Sequence, residues 1–186
     1  MSEVRVGEDL TNFKIHQSQL FAIEYYEEEP KGKGTEDYVE WMLSHFTGVL
    51  LKPECGSPMD KSGIDFLIRG NGITLGLQVK SSSKGVEHFL SKGNLSKEII
   101  LLWVNTQDRT SRRKLLFLLA PILQSNGISI KEELKNLLNK VKTFKEKGLN
   151  SLPVQRGGYP GFSVKEVKSL EHLGLAYRKG GELHFV

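Results

Sequence analysis

Residues 63–82 read GIDFLIRGNGITLGLQVKSS, and this stretch restricts the fold more tightly than any other. Ile64, Phe66 and Ile68 alternate with Asp65, Leu67 and Arg69, while Ile73, Leu75, Leu77 and Val79 alternate with Thr74, Gly76, Gln78 and Lys80. Period-two alternation on either side of Gly70-Asn71-Gly72 predicts a β-hairpin. Matching apolar with apolar across the strands requires a loop of two or four residues, because three would flip one strand's faces. A two-residue loop sets Asp65 opposite Gly76 with Gln78 on the diagonal. A four-residue loop sets Asp65 opposite Gln78. In both registers Asp65, Gln78 and Lys80 share one face, and the other face is apolar.

Those three polar groups have the chemistry of a Mg²⁺ site. The ion takes oxygen ligands, commonly one or two carboxylates with waters and substrate phosphates. Asp65 would supply a charged oxygen and Gln78 a neutral amide oxygen. Lys80 would lie near the attacking water or the scissile phosphate and stabilise developing negative charge. The bland alternative is a hairpin whose polar face is simply solvated.

Asp65 followed by Gln78-Val79-Lys80 resembles the PD-(D/E)xK nuclease superfamily, whose core carries Asp on one strand and Glu-x-Lys or Gln-x-Lys on the next. The spacing is most similar to that of archaeal Holliday-junction resolvases. Lys31-Gly32, Glu36, Gly56-Ser57, Ile64-Asp65 and Gln78-Val79-Lys80-Ser81 follow their order over roughly residues 31 to 105. Ile64 stands where that family has Pro, and Gln78 where it has Glu, which removes one negative charge from the metal site. The resemblance implies a restriction-endonuclease-like core and Mg²⁺ or Mn²⁺ as cofactor. It also implies an extra acid on the first helix. Thr35 is expected to cap that helix, which runs to about Phe46. Glu36 lies at the edge of its apolar stripe of Val39, Met42, Leu43 and Phe46, with Glu40 turned further to solvent. Glu36 is therefore the expected extra acid, Glu40 the fallback, and complementing the helix dipole the alternative role.

Composition excludes several classes. Hydrophobic residues at 38% and charged residues at 26% describe an ordinary globular chain. The apolar run at 115–123 is too short to span a bilayer, and the N-terminus lacks the pattern of a signal peptide. One cysteine, Cys55, permits no intrachain disulfide and fits a cytoplasmic setting. The five histidines lack ligand spacing for zinc. Net charge is +4, with residues 126–186 carrying eleven basic and six acidic side chains. A basic C-terminal third suits phosphate contact, as it does any solvated helix face.

Three segments are expected: an N-terminal arm at 1–33, a nuclease-like core at 34–125, and a basic helical extension at 126–186. Residues 13–26 read as a strand or short helix, and residues 27–34 as a hinge. Val49 to Cys55 should pair with the hairpin, and Gly56 to Gly63 form a loop. Val86 to Ser91 reads as a short helix, Ile99 to Asn105 as a buried strand, and Lys114 to Ala120 as another strand. The Arg109, Arg112 and Arg113 cluster would then occupy a hairpin tip. In the last third, Ile128 to Lys147 has helical spacing, Ser163 caps a helix through Leu173, and Gly180-Gly181 centres a closing hairpin. Helix, loop, helix and hairpin resemble a shortened winged helix, a candidate DNA-gripping unit. Phosphate contacts are expected from Ser57, Ser81, Lys84, Arg109, Arg112 and Arg113.

The expected architecture is α/β, a mixed central sheet flanked by helices with a small C-terminal helical and hairpin extension. The expected function is divalent-metal-dependent endonucleolytic hydrolysis of DNA, double-stranded or branched, by a homodimer, since one site of this kind cuts one strand. A catalytically silent DNA-binding module of the same fold and an RNA nuclease are the alternatives, the first favoured by Gln78.

Overall fold

The computed structural model describes residues 19–22, 32–92, 99–104, 109–156 and 158–186. The predicted hairpin forms from β3 (Phe66–Gly70) and β4 (Ile73–Lys80). Its corners are Asn71 and Gly72, both at positive φ (49° and 78°), the geometry whose twist matches flanking strands. The loop thus has two residues and begins one position later than the sequence reading placed it. Gly70 pairs with Ile73 and Phe66 with Leu77. Asp65, just beyond the ladder, consequently comes beside Gln78, the neighbour that the four-residue loop alone was expected to give.

The sheet grows on both sides of this hairpin in the order β1-β5-β4-β3-β2. β2 (Val49–Leu51) pairs antiparallel with β3, whereas β5 (Ile99–Trp103) runs parallel to β4 and β1 (Gln19–Ala22) parallel to β5. The sheet is therefore mixed, as expected. β2 ends at Leu51, sooner than the run to Cys55 suggested. β1 lies in the segment read as an arm and is the outer strand next to β5. Residues 27–31 of the expected hinge lie outside the described residues.

Helices cover both faces. α1 (Gly32–Leu43) and α4 (Arg109–Ser125) pack on one face, where Phe66, Ile68, Leu77, Val79, Ile100 and Leu102 join Val39, Met42, Leu115 and Leu119 in the main core. α3 (Ser83–Ser91) covers the other, with Val86 and Phe89 against Ile99 and Leu101. β5 is apolar on both faces for that reason. α1 begins a turn before Thr35, which is buried inside the helix instead of capping it. Burial of Thr35 outweighs the weak helix preference of Gly32 and Gly34.

The largest departure is residues 114–120, expected as a strand and found inside α4. Ser111, Leu115, Leu119 and Leu123 are buried at intervals of four, while Phe117 is exposed. A continuous apolar run hides that period, so strand and helix look alike until the flanking residues are included. The arginine cluster accordingly opens a helix and does not cap a hairpin.

α5 (Glu132–Glu146), β6 (Ser151–Pro153), α6 (Val164–His172), β7 (Ala176–Lys179) and β8 (Glu182–Phe185) complete the chain. Ser163 caps α6 as expected, with a full capping box to Glu166, and β6-β8-β7 form a small antiparallel sheet. The main apolar cluster runs without a break from Tyr38 to Phe185, crossing the boundary expected at 125/126. No helix among the described residues is long and apolar enough to cross a membrane.

Candidate functional site

Strand pairing decides which side chains meet. Gln78 pairs with Leu101 and Lys80 with Trp103, so the polar face of the hairpin is the face that α3 covers. Gln78 is consequently only 1% exposed, and the solvated-face alternative does not describe it. Asp65 donates its backbone N–H to the Leu77 carbonyl at 2.9 Å. Its Oδ2 accepts the Val79 N–H at 2.6 Å and the Gln78 Nε2 at 2.5 Å.

The Gln78 amide leaves its other end unsatisfied: Oε1 is buried with no hydrogen-bond partner among the described residues. Such an oxygen costs about 1–3 kcal/mol, so a fold that retains one has reason to. It is turned toward Gly63, where a Cβ would stand 2.8 Å from it and 2.8 Å from the Phe89 ring. Gly63 also has a φ of +78°, which favours glycine. Rotating the amide by half a turn exchanges Nε2 and Oε1 and would set the oxygen beside the Asp65 carboxylate.

Glu36 reaches this end of the sheet from α1. Burial, then repulsion from Asp65, raises its pKa above the ordinary carboxylate range, and Lys80 and Lys52 oppose the rise. Burial raises Asp65 likewise, against the Val79 N–H, Lys80 and Gln78, which favour its ionised form. Glu36 therefore senses the Asp65 charge, and both carboxylates sense Lys80. Glu40 instead pairs with Lys52 on the surface. The Lys80 ammonium lies 5.9 Å from the centre of the Phe89 ring, its stem close against Gly85.

Four expected residues thus come together: Asp65, Gln78, Lys80 and Glu36. Ser81 and Lys84 stand where β4 gives way to α3, which Ser82 caps through the Gly85 N–H at 3.1 Å. Ser57 takes a local role: its hydroxyl accepts the Asp60 N–H at 3.2 Å and caps α2 (Pro58–Lys61). Arg109 lies over Tyr177 and Arg112 over Tyr38, and neither these two nor Arg113 are among the charges acting on Asp65 or Glu36.

Sequence reasoning missed Asp60, Gly63 and Phe89. Asp60 raises the Asp65 pKa and is held by the Gly56 N–H at 2.8 Å. Its signal was present in Ser57-Pro58-Met59-Asp60, which has the form of a helix start with Pro at the first position. Nothing local marks Phe89, because only the β4-α3 crossover brings it over Gln78.

Two carboxylates and an amide oxygen are hard oxygen donors suited to Mg²⁺ or Mn²⁺. Among the described residues no group of three or more His, Cys, Asp or Glu is disposed to hold a metal ion. Compared with models of protein families, with curated proteins and with solved structures, the chain matches none.

Proposed function

We propose that the protein is a divalent-metal-dependent endonuclease hydrolysing DNA phosphodiesters at the end of the β3–β4 hairpin. The observation that carries this reading is the Asp65–Gln78 contact: a half-buried carboxylate bonded to a buried amide whose oxygen has no partner among the described residues. Glu36 and Lys80 stand within electrostatic reach of it. The arrangement supports the resemblance to PD-(D/E)xK nucleases and a restriction-endonuclease-like core, which rest otherwise on the motif alone.

In this reading Asp65, Glu36 and, once its amide is rotated by half a turn, the Gln78 oxygen would hold a Mg²⁺ or Mn²⁺ ion. Such an ion supplies Lewis acidity toward the phosphoryl oxygen and lowers the pKa of an attacking water. A dication favours the ionised form of both carboxylates and so would oppose the upward shifts of Asp65 and Glu36. Lys80 would orient the attacking water and stabilise the charge of the pentacovalent phosphorus. Ser81 and Lys84, at the start of α3, steady the flanking phosphate, and the α3 dipole favours an anion there. Cleavage of both strands calls for two copies of the chain.

The deciding experiment is nicking of supercoiled, linear and branched DNA with Mg²⁺, with Mn²⁺ and with EDTA, alongside an RNA substrate. The wild type is expected to cut DNA only with metal, and Asp65→Asn to abolish cutting while DNA binding survives or tightens. Cutting by Asp65→Asn at the wild-type rate would remove the site. Gln78 favours a second reading, since a neutral ligand weakens the metal site. If the wild type binds DNA, never cuts it and ignores metal, the protein is a binding module.

A further inference from the structure

A cleft of about 1120 Å³ opens between the first turn of α4 and α6, and it contains none of the residues of the Asp65 site. Its charged lining is Arg109, Arg112, Lys165, Lys168, Arg178 and a single carboxylate, Glu171. Arg178 neutralises Glu171 through a forked contact, Nε to Oε1 at 2.9 Å and Nη2 to Oε2 at 3.1 Å. Arg109, Arg112, Lys165 and Lys168 form no ion pair among the described residues.

The four cations come as two i,i+3 pairs, one on each helix, and such pairs stand about 5–6 Å apart at Cβ. That separation is comparable with neighbouring phosphates along one strand. Arg112 is positioned by an aromatic ring: its Cζ lies 5.9 Å from the centre of Tyr38, and its Nε is buried with no hydrogen-bond partner among the described residues. Arg109 lies 4.7 Å from the centre of Tyr177. A guanidinium held against a ring has less freedom to lose on binding.

The rings in this cleft separate duplex from single strand. Single-strand sites present open aromatic faces on which bases stack. Here Tyr177 is stacked with His184 at 5.1 Å and carries Arg109, while Trp41 meets His45 and His172 edge to face at 4.6 and 4.2 Å. The cleft offers cations and no unengaged ring.

We infer that the α4–α6 cleft is a second nucleic-acid site, which grips the sugar–phosphate backbone of duplex DNA through Arg109, Arg112, Lys165 and Lys168. This rests on the reading of the chain as a DNA enzyme but not on catalysis at Asp65. The cleft supplies affinity and carries no base recognition, because phosphate contacts position a duplex without reading it.

The test is fluorescence anisotropy of a labelled duplex in EDTA, so that cleavage plays no part, across a salt series. Lys165→Gln/Lys168→Gln is expected to weaken binding about tenfold at moderate salt and reduce the slope of log K against log salt by about 1.8. Lys135→Gln/Lys142→Gln removes the same charge from α5, where both lysines sit in exposed pairs with Glu132 and Glu146, and should leave affinity nearly unchanged. Arg109→Gln repeats the test from the other helix. Unchanged affinity and slope in both cleft variants would overturn the proposal. So would equal weakening by the α5 control, or a larger loss on single-stranded than on duplex DNA. Nicking by the wild type is scored separately, so a silent Asp65 site and a silent cleft give different results.

Discussion

Two hairpins among the described residues are built by one local code and end in different surroundings. β3–β4 turns at Asn71-Gly72 and β7–β8 at Gly180-Gly181, each with two residues at positive φ. Both carry polar side chains on one face. In β3–β4 that face is roofed by α3 and flanked by β5, so Gln78 and Asp65 are desolvated and must satisfy each other. In β7–β8 the polar face carries Tyr177, Lys179, Glu182 and His184, and Lys179 remains exposed. A strand pattern therefore fixes which residues share a face, and the cover placed over that face decides whether they are solvated or reactive.

The comparison breaks most visibly at its two terminal lysines. Lys80 and Lys179 each end a hairpin strand, yet of the two only Lys80 acts on the half-buried carboxylates Asp65 and Glu36. Lys80→Ala is expected to lower metal-dependent cleavage by about 10²–10³-fold, the scale of losing one charge-stabilising donor. Lys179→Ala should leave cleavage unchanged. Equal rates for both variants would remove Lys80 from the chemistry.

Two glycines sharpen the contrast in stability. Gly63→Ala must accommodate a Cβ 2.8 Å from both Phe89 and the Gln78 oxygen at a φ of +78°. Strain and overpacking together should cost about 2–4 kcal/mol by urea denaturation. Gly180→Ala has nothing within 4 Å and carries only the backbone penalty, about 1–2 kcal/mol. Similar losses would mean that the Gly63 pocket is looser than its contacts imply.

Gln78→Glu probes the site by charge. It sets a second carboxylate against Asp65 in place of a 2.5 Å hydrogen bond, so the variant should melt lower at neutral pH without metal. Added Mg²⁺ should restore it. A tenfold gain in metal affinity, readable by calorimetry, corresponds to about 1.4 kcal/mol. No gain would place Gln78 outside the ligand set.

The smallest effect is expected at Glu36. Its folded pKa is raised, so the folded state binds the proton more tightly than the unfolded chain does. Stability is then fully present below the ordinary carboxylate range and falls as pH rises through the interval up to the folded value. Glu36→Gln should therefore raise the melting temperature at pH 7 by up to about 3 °C. The gain should vanish near pH 4. Glu40→Gln breaks only its exposed pair with Lys52 and should change stability by a few tenths of a kcal/mol at most. A gain for Glu40→Gln equal to that of Glu36→Gln would deny Glu36 its shared environment with Asp65.

The legible part of the molecule was the part governed by short-range rules. Alternation gave β3 and β4, Ser163 gave the start of α6, and the paired glycines gave the last turn. The common face of Asp65, Gln78 and Lys80 followed from period two alone. What was illegible depended on partners distant in sequence. Nothing between residues 114 and 120 reveals that Phe117 would face solvent. The burial of Gln78 requires α3 to fold back over β4, and the meeting of Arg112 with Tyr38 joins residues more than seventy positions apart.

A turn described above by its dihedral angles also has a mechanical consequence. Asn71 donates through Nδ2 to the Gly127 carbonyl at 3.0 Å, and Gly70 lies against Ile128. Beside it Thr47 and Ser129 exchange hydrogen bonds, and Lys131 donates its backbone N–H to His45. The loop joining α4 to α5 is thereby stitched to the tip of the hairpin that bears Asp65. A calorimetric scan should accordingly show one endotherm, with the basic C-terminal third and the β3–β4 hairpin melting as a single cooperative unit.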